Sequence, residues 1–426
     1  MCEFQVCAKV SNPCNDTTFF LVSQNASEWT AVCVEPVNVD CCGPCIVSST
    51  VTRAAAIATS AVAATVSTLS SASAASFTAS QTAVVGLLRC SWPEVRAFAE
   101  PMSWLLSPIG TWVPQPSVFP SITVWSVAGN AILFAVVFIL HGIAAAIFGP
   151  RVVLFPALTL SCVMILSQGN AYYATRILAQ CTTGSCGFGE VLAVIVGYGM
   201  IVVIVVPVLI LNIRWTYVIS RSLPWDGQST FLRWTVIPVD YWTPVSTVRC
   251  WGAVFFMYRS NFQWFHIPLV LSNASVGVVV GASTTNAKCI AQLWMIVGCM
   301  ALQCVVLLTC RPFRVRMMTY SLAVLTSVHA AVLVTMLWNS GSNGFAGPAS
   351  AAGKVLHALE VAGNVSFALY CVIVFVVERV FVNKRIQDTE RDIVLNTMKS
   401  DATVEGVDEG SYMILTVEKD GNVSSR

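Results

Sequence analysis

Seven stretches of this chain stay apolar for about 20 residues, the length a helix needs to cross the hydrocarbon core of a bilayer. They are Ile122–Phe148, Val152–Tyr172, Glu190–Ile213, Trp264–Ala282, Ile290–Cys310, Met318–Trp338 and Val355–Phe381. Nothing else in the sequence constrains the fold so tightly. A backbone surrounded by lipid must satisfy its own hydrogen bonds, which leaves helices and closed barrels. Composition agrees, with 56% of the 426 residues hydrophobic and 10% charged, against roughly a quarter charged in soluble domains. A water-soluble globule of this size cannot cover so much apolar surface. The net charge of +2 gives no sign of a nucleic-acid partner. The expected fold is all-α, a multi-pass transmembrane helix bundle of about seven spans in contact with membrane lipids.

Two regions strain this count. Ser167, Gln168 and Asn170 dilute the outer end of the second run. Pro156 and Pro207 fall inside spans, which membrane helices tolerate when neighbours satisfy the freed carbonyls. An eighth stretch, Ala54–Leu88, is rich in Ala, Ser and Thr but poor in Leu and Phe. It either lies outside the membrane, forms a hairpin, or packs as an Ala-rich helix on the bundle.

Charge sets an orientation, because Lys and Arg collect in cytoplasmic loops. The loop after the third run holds Arg214, Arg221, Arg233, Arg249 and Arg259. The short loop after the fifth holds Arg311, Arg314 and Arg316, and Arg379, Lys384, Arg385 and Arg391 follow the seventh. With these three inside, the C-terminus is inside, the loop with Cys181 and Cys186 is outside, and so is the N-terminus. Residues 1–50 look extracellular on separate grounds. They contain seven of the 17 cysteines, namely Cys2, Cys7, Cys14, Cys33, Cys41, Cys42 and Cys45, and two glycosylation sequons at Asn15 and Asn25. Dense cysteine without His among it favours disulfides in an oxidising compartment over a metal site; Cys181 and Cys186 join the disulfide candidates.

The domain organisation follows. Residues 1–50 form an extracellular Cys-rich segment and residues 51–121 an Ala/Ser-rich extracellular or membrane-associated connector. Residues 122–382 make the bundle, and residues 383–426 a cytoplasmic, mostly disordered, acidic tail. Residues 1–20 carry no apolar core of a signal peptide. Translocation of the N-terminal tail by the first span would account for that, but the reading favoured is a chain that is the C-terminal part of something longer. In the loop 214–263, Trp215, Trp225, Trp234, Trp242 and Trp251 alternate with arginines while Pro224, Pro238 and Pro244 break any helix. Trp and Arg prefer the headgroup layer, so an interfacial wrap is expected, with a lipid-headgroup site or a gating linker as the sharper alternative. In the tail, Tyr412 to Leu415 matches a tyrosine-based sorting signal.

Ionisable residues inside spans are costly and mark function by default. His357, Glu360 and Asn364 form a polar stripe on the last span, with Gln303 on the fifth, His329 on the sixth, and Asn130 and His141 sharing a face of the first. They would line a hydrated or proton-linked pathway, or else hydrogen-bond between helices at about 1 kcal/mol each. Packing is the reading favoured, because no acid falls at mid-membrane and Lys354 stands near Glu360 as a partner. Gly277 and Gly281 make a small-xxx-small face for close helix approach, within the chain or in a homo- or hetero-oligomer. No nucleophile elbow, His-Glu-x-x-His or phosphate-cradling glycine loop occurs, so neither catalysis, cofactor nor metal is expected.

One short motif carries a resemblance. Cys310-Arg311-Pro312-Phe313-Arg314-Val315-Arg316 is a very short basic loop between two apolar helices, preceded by Met257-Tyr258-Arg259-Ser260 leading into another span. With the Cys-rich start and the Ala/Ser-rich Ala54–Ala79, this resembles the C-terminal multi-pass region of kinetoplastid dispersed gene family surface proteins. The resemblance implies a plasma-membrane module that anchors a surface glycoprotein. The alternative is a channel- or transporter-like protein with a polar pathway near His357, Glu360 and Gln303.

Overall fold

The computed structural model describes residues 19–25, 28–33, 54, 56–62, 73–88, 93–150, 152–153, 155–182, 184, 186–214, 219–222, 229–243, 255–282, 289–341, 348–378, 415–417 and 423–425. The chain divides into two units, Met1–Thr52 and Arg53–Arg426. In the first, β1 (Phe19–Asn25) pairs antiparallel with β2 (Glu28–Cys33), with Phe19 opposite Cys33 and a register shift between Ser23 and Asn25.

The second unit is built of helices. A short pair, α1 (Ser73–Gly86) and α2 (Pro93–Ala99), continues through a 3-10 turn at Glu100–Leu105 and α3 (Pro108–Trp112). Three long helices follow, α4 (Ile122–Phe148), α5 (Ala157–Cys181) and α6 (Phe188–Arg214). Then come β3 (Ile219–Ser222), α7 (Thr230–Thr235) and β4 (Asp240–Thr243). The last four helices are α8 (His266–Gly281), α9 (Cys289–Cys310), α10 (Arg316–Gly341) and α11 (Pro348–Val377). In the tail, β5 (Leu415–Val417) pairs with β6 (Val423–Ser425). These hairpins add strands that an all-helical expectation omits.

Among the described residues, five segments are long and apolar enough to cross a membrane, namely Ile122–Phe148, Ser260–Gly281, Cys289–Cys310, Arg316–Trp338 and Ala352–Val377. Many of their large apolar side chains face outward, Ile139, Leu140, Leu302 and Val324 among them, which suits lipid and not water. The second run of the sequence is corrected. Its helix starts only after Pro156 and continues to Cys181, because Pro suits a helix start and not its interior. Polar Ser167, Gln168 and Asn170 are buried in it, so neighbouring helices, and not lipid, surround this face.

Side-chain pairs give the order of packing. Asn130 bonds Asn170 and His141 bonds Thr159 across α4 and α5, and Thr175 meets Tyr198 across α5 and α6. These helices therefore run antiparallel in sequence order. Likewise Ser272 reaches Gln303, Cys304 reaches Ser327, and Glu360 lies beside His329, so α8 to α11 alternate in direction. The two groups meet where α5 lies parallel to α8, the most extensive helix contact in the fold. Gly277 and Gly281 make that approach: a Cβ at Gly277 would sit 2.6 Å from the Gln168 carbonyl oxygen, and one at Gly281 would strike the Tyr172 carbonyl. The glycine face that the sequence offers to a second copy is thus filled within the chain.

In the ambiguous Ala54–Leu88 stretch, α1 packs on the bundle, the third of the arrangements expected for it. Ser76, Phe77, Gln81, Val84 and their neighbours on α1 are buried, and α1 packs on α5, α8 and α11. Fourteen residues at 1.5 Å each make about 21 Å, short of the ~30 Å hydrocarbon core. The end of a helix leaves carbonyls without intrahelical partners; at the end of α1 the Val84 and Val85 carbonyls accept from the Leu87 and Leu88 N–H groups at 3.0 and 3.1 Å, and past the 3-10 turn the Leu106 carbonyl is met from α4. Asn130 Nδ2 donates to the Leu106 carbonyl at 2.9 Å and to Asn170 Oδ1 at 2.8 Å. Asn130→Ala is expected to cost about 1–3 kcal/mol by orphaning both acceptors, measured as a lower Tm of the purified chain in detergent.

The described parts of the loop 214–263 pair with each other, while Trp215, Trp225 and Trp251 lie outside the described residues. β3 and β4 pair, with Ile219 opposite Thr243 and Ser222 opposite Asp240. Trp242 is buried edge-on to Phe255 and donates from Nε1 to the Tyr258 carbonyl. The two fragments that carry the family resemblance touch each other: Arg259 N donates to the Pro312 carbonyl at 2.8 Å and Arg314 N to the Met257 carbonyl at 2.9 Å, around a Tyr258–Phe313 bridge.

Candidate functional site

Glu360 is the centre of the site. The last helix starts at Pro348, seven residues before the apolar run at Val355, so Glu360 is the thirteenth of 30 residues. Glu360 therefore lies farther along its helix than the start of the apolar run at Val355 suggests. Its partners are not Lys354, which is six positions away and on another face of the helix. Oε2 lies 3.2 Å from Nδ1 of His357, one turn earlier, and Oε1 lies 3.6 Å from Nδ1 of His329. His329 is itself the fourteenth of 26 residues in α10. Thr82, on α1, donates its hydroxyl to Oε1 at 3.4 Å. Glu360 is 1% exposed and both imidazoles are buried.

Phe98, from α2, closes one side with its ring edge-on to His357, centroids 5.7 Å apart. Asn364, one turn on from Glu360, donates to the Glu360 backbone carbonyl at 3.0 Å, and its own Oδ1 has no partner. Nε2 of His357 is also buried without one. The stripe read from the sequence is therefore real as a surface but unequal in role: His357 and Glu360 interact, whereas Asn364 turns to the backbone.

A second polar group adjoins the first through consecutive residues of α1. Gln81 Nε2 bonds Asn273 Oδ1 of α8 and Gln303 Oε1 of α9, and Ser272 also donates to Gln303 Oε1 at 3.1 Å. Asn273 Nδ2 is buried without a partner. Asn273 and Gln303 each lie seven residues from the arginine-bearing ends of their helices, about 10 Å at 1.5 Å per residue, while His329 lies about 20 Å from that end of α10. Polar groups thus follow one another along the bundle axis from Ser272 to His357. Gln81, Thr82 and Asn273 are the residues of this cluster that sequence reasoning missed. A Gln in a helix mostly of Ala, Ser and Thr was the available signal, and nothing local told which helices it would meet.

The remaining expected site residues separate. Arg314 is buried, bonds Glu378 at 2.5 Å and the Asp240 carbonyl at 2.9 Å, and stands 4.2 Å over the Phe256 ring. Arg311 and Arg316 of the same loop are exposed. Cys181 and Cys186 pair across the turn from α5 to α6, with Cα atoms 5.1 Å apart, within the span of a disulfide. Cys33 and Asn25 lie on β2 and β1, and Leu415 begins β5. Cys2, Cys7, Cys14, Cys41, Cys42, Cys45, Asn15 and Tyr412 lie outside the described residues. No group of three or more His, Cys, Asp or Glu among the described residues has a metal-holding arrangement.

Chemically, a carboxylate between two imidazoles can pass a proton among three groups or hold a small cation against one negative charge. No family model, curated protein or solved structure matches the chain.

Proposed function

We propose that this chain is a non-catalytic, channel- or transporter-like membrane protein that moves protons or a small cation along the polar line through Gln303, Gln81, Glu360 and the two histidines. One observation carries the reading: a buried carboxylate, flanked by His329 and His357 near the middle of two apolar helices. Such a group is expensive in lipid and marks ion or proton pathways by default. The short α1, which brings Thr82 to that carboxylate, supports it, since backbone that ends at membrane depth is tolerated where it is buried in protein or lines a cavity. The test is flux. Liposomes reconstituted with the full chain and loaded with a pH-sensitive dye are expected to dissipate an imposed pH gradient faster than empty ones; equal rates reject the reading.

The proposed topology is seven spans, N-terminus outside and C-terminus inside, in the plasma membrane. Arginines at one end of α8 to α11 and the Cys181–Cys186 pair at the other support it. An epitope tag at Gln5 should be reached by antibody on intact cells, and one at Asp420 only after permeabilisation. Reversal of that pattern would sink the topology.

A second reading, the membrane-anchoring module of a surface glycoprotein like those of the dispersed gene family, is favoured by the seven cysteines and two sequons of residues 1–50. It expects no flux from the wild-type chain.

A further inference from the structure

The short basic loop holds a second feature, separate from the polar line. A cavity of ≈ 280 Å³ opens at this end of the bundle, lined by Arg259, Arg311, Arg316, Thr319 and the stacked pair Trp234 and Tyr320. That is the low end of the volume of small-molecule pockets. No carboxylate pairs with any of the three arginines among the described residues, in contrast to Arg314, which is consumed by Glu378. Arg316 and Thr319 belong to the first turn of the 26-residue α10, whose dipole favours an anion. Thr319 lines the cavity, is 1% exposed, and its buried hydroxyl has no hydrogen-bond partner. A buried polar group without a partner is rare and points to something that would complete it.

The backbone adds a further sign. Arg311 has φ 46°, the left-handed conformation that normally falls to Gly just past a helix C-terminus. Its N–H caps the Leu307 carbonyl of α9, which Gly would do without the steric penalty. An arginine in a position that suits glycine carries a backbone cost, and this one lines the cavity.

We propose that this cavity binds a phosphate-bearing anion through Arg259, Arg311, Arg316 and the Thr319 hydroxyl. Planar guanidinium forks suit phosphate oxygens, and the Trp234–Tyr320 wall suits the boundary between headgroup and water. The phosphate can belong to a phosphomonoester lipid headgroup of the inner leaflet, which rests on the topology proposed above, or to a soluble phosphate.

The full chain would be tested in phosphatidylcholine nanodiscs, alone, doped with phosphatidylinositol 4-phosphate, or doped to equal charge with phosphatidylserine. Inorganic phosphate would be titrated against the chain in detergent. A rise in Tm of several degrees with the phosphoinositide and not with phosphatidylserine assigns the lipid source. A rise with inorganic phosphate alone assigns the soluble one. Arg311→Gly should keep or raise the Tm without ligand, because Gly suits its φ, yet bind about tenfold more weakly, the worth of one charge-assisted hydrogen bond. Arg316→Gln should weaken binding similarly. The proposal is overturned if neither probe raises the Tm, if phosphatidylserine matches the phosphoinositide, or if both variants respond as the wild type does. None of these outcomes depends on flux through the Glu360 pathway.

Discussion

Liposomes carrying the Glu360→Gln chain should hold an imposed pH gradient on the order of a hundredfold longer than those carrying the wild type, the usual size of a positioned proton-transfer group. The amide is nearly the shape of the carboxylate and can still accept from Thr82, so the bundle should assemble and its Tm should move little. What it cannot do is take up or release a proton, or hold a cation by charge. Glu360→Ala is a different experiment. It leaves His329, His357 and Thr82 facing an empty space and is expected to destabilise by about 3–5 kcal/mol, as loss of one member of a buried charged group does. A Gln variant that dissipates the gradient at the wild-type rate would return the cluster to a packing role. No dissipation by the wild type would favour the anchoring module.

Gly277→Leu should prevent the bundle from forming as one body. Even a Cβ there would sit 2.6 Å from the Gln168 carbonyl oxygen and 3.2 Å from the Ala171 Cβ and the Tyr172 backbone nitrogen. Backbone cannot swing aside as a flexible side chain does, so α5 and α8 must separate along their length. Overpacking usually costs 1–3 kcal/mol; this site joins the two halves of the bundle, and we expect at least about 3 kcal/mol and loss of the monodisperse peak in size exclusion. Gly298→Leu is the matched control, since nothing lies within 4 Å of a Cβ built at that exposed position of α9. Equal behaviour of the two variants would mean that the α5–α8 contact does not hold the fold.

The apolar runs were legible because lipid imposes one requirement on every residue of a span, and a local count registers it. The helices α4, α9 and α10 follow their runs to within a few residues for that reason. What escaped was whatever depends on a partner distant in the chain. Gln81 meets Asn273 and Gln303 across 192 and 222 residues, and no period or spacing encodes those meetings. The Ala/Ser/Thr composition of α1, ambiguous as a span, makes sense once the helix is seen inside the bundle, where small side chains permit close packing. Glu360 was visible as a residue but not its distance from the helix start, because the Ala-rich first turns of α11, which also hold Ser350 and Lys354, fall below the apolarity that marks a span. The arginine loop divided into one structural member and two facing the cavity only through its pairing with residues 257–259.

The position of α5 bears on what holds it in the bundle. This helix carries Ser161, Ser167, Gln168, Asn170 and Thr175 on buried faces, and the free energy of moving such a segment alone from water into bilayer is far less favourable than for α4. The neighbour it follows, α4, is apolar nearly all round, and α6 comes directly after it. The middle helix of this trio is therefore the one held by its two neighbours and not by its own apolarity. In the folded chain its polar residues are met by those neighbours, Asn170 by Asn130 and Thr175 by Tyr198, so α5 depends on tertiary contacts that the apolar α4 does not need.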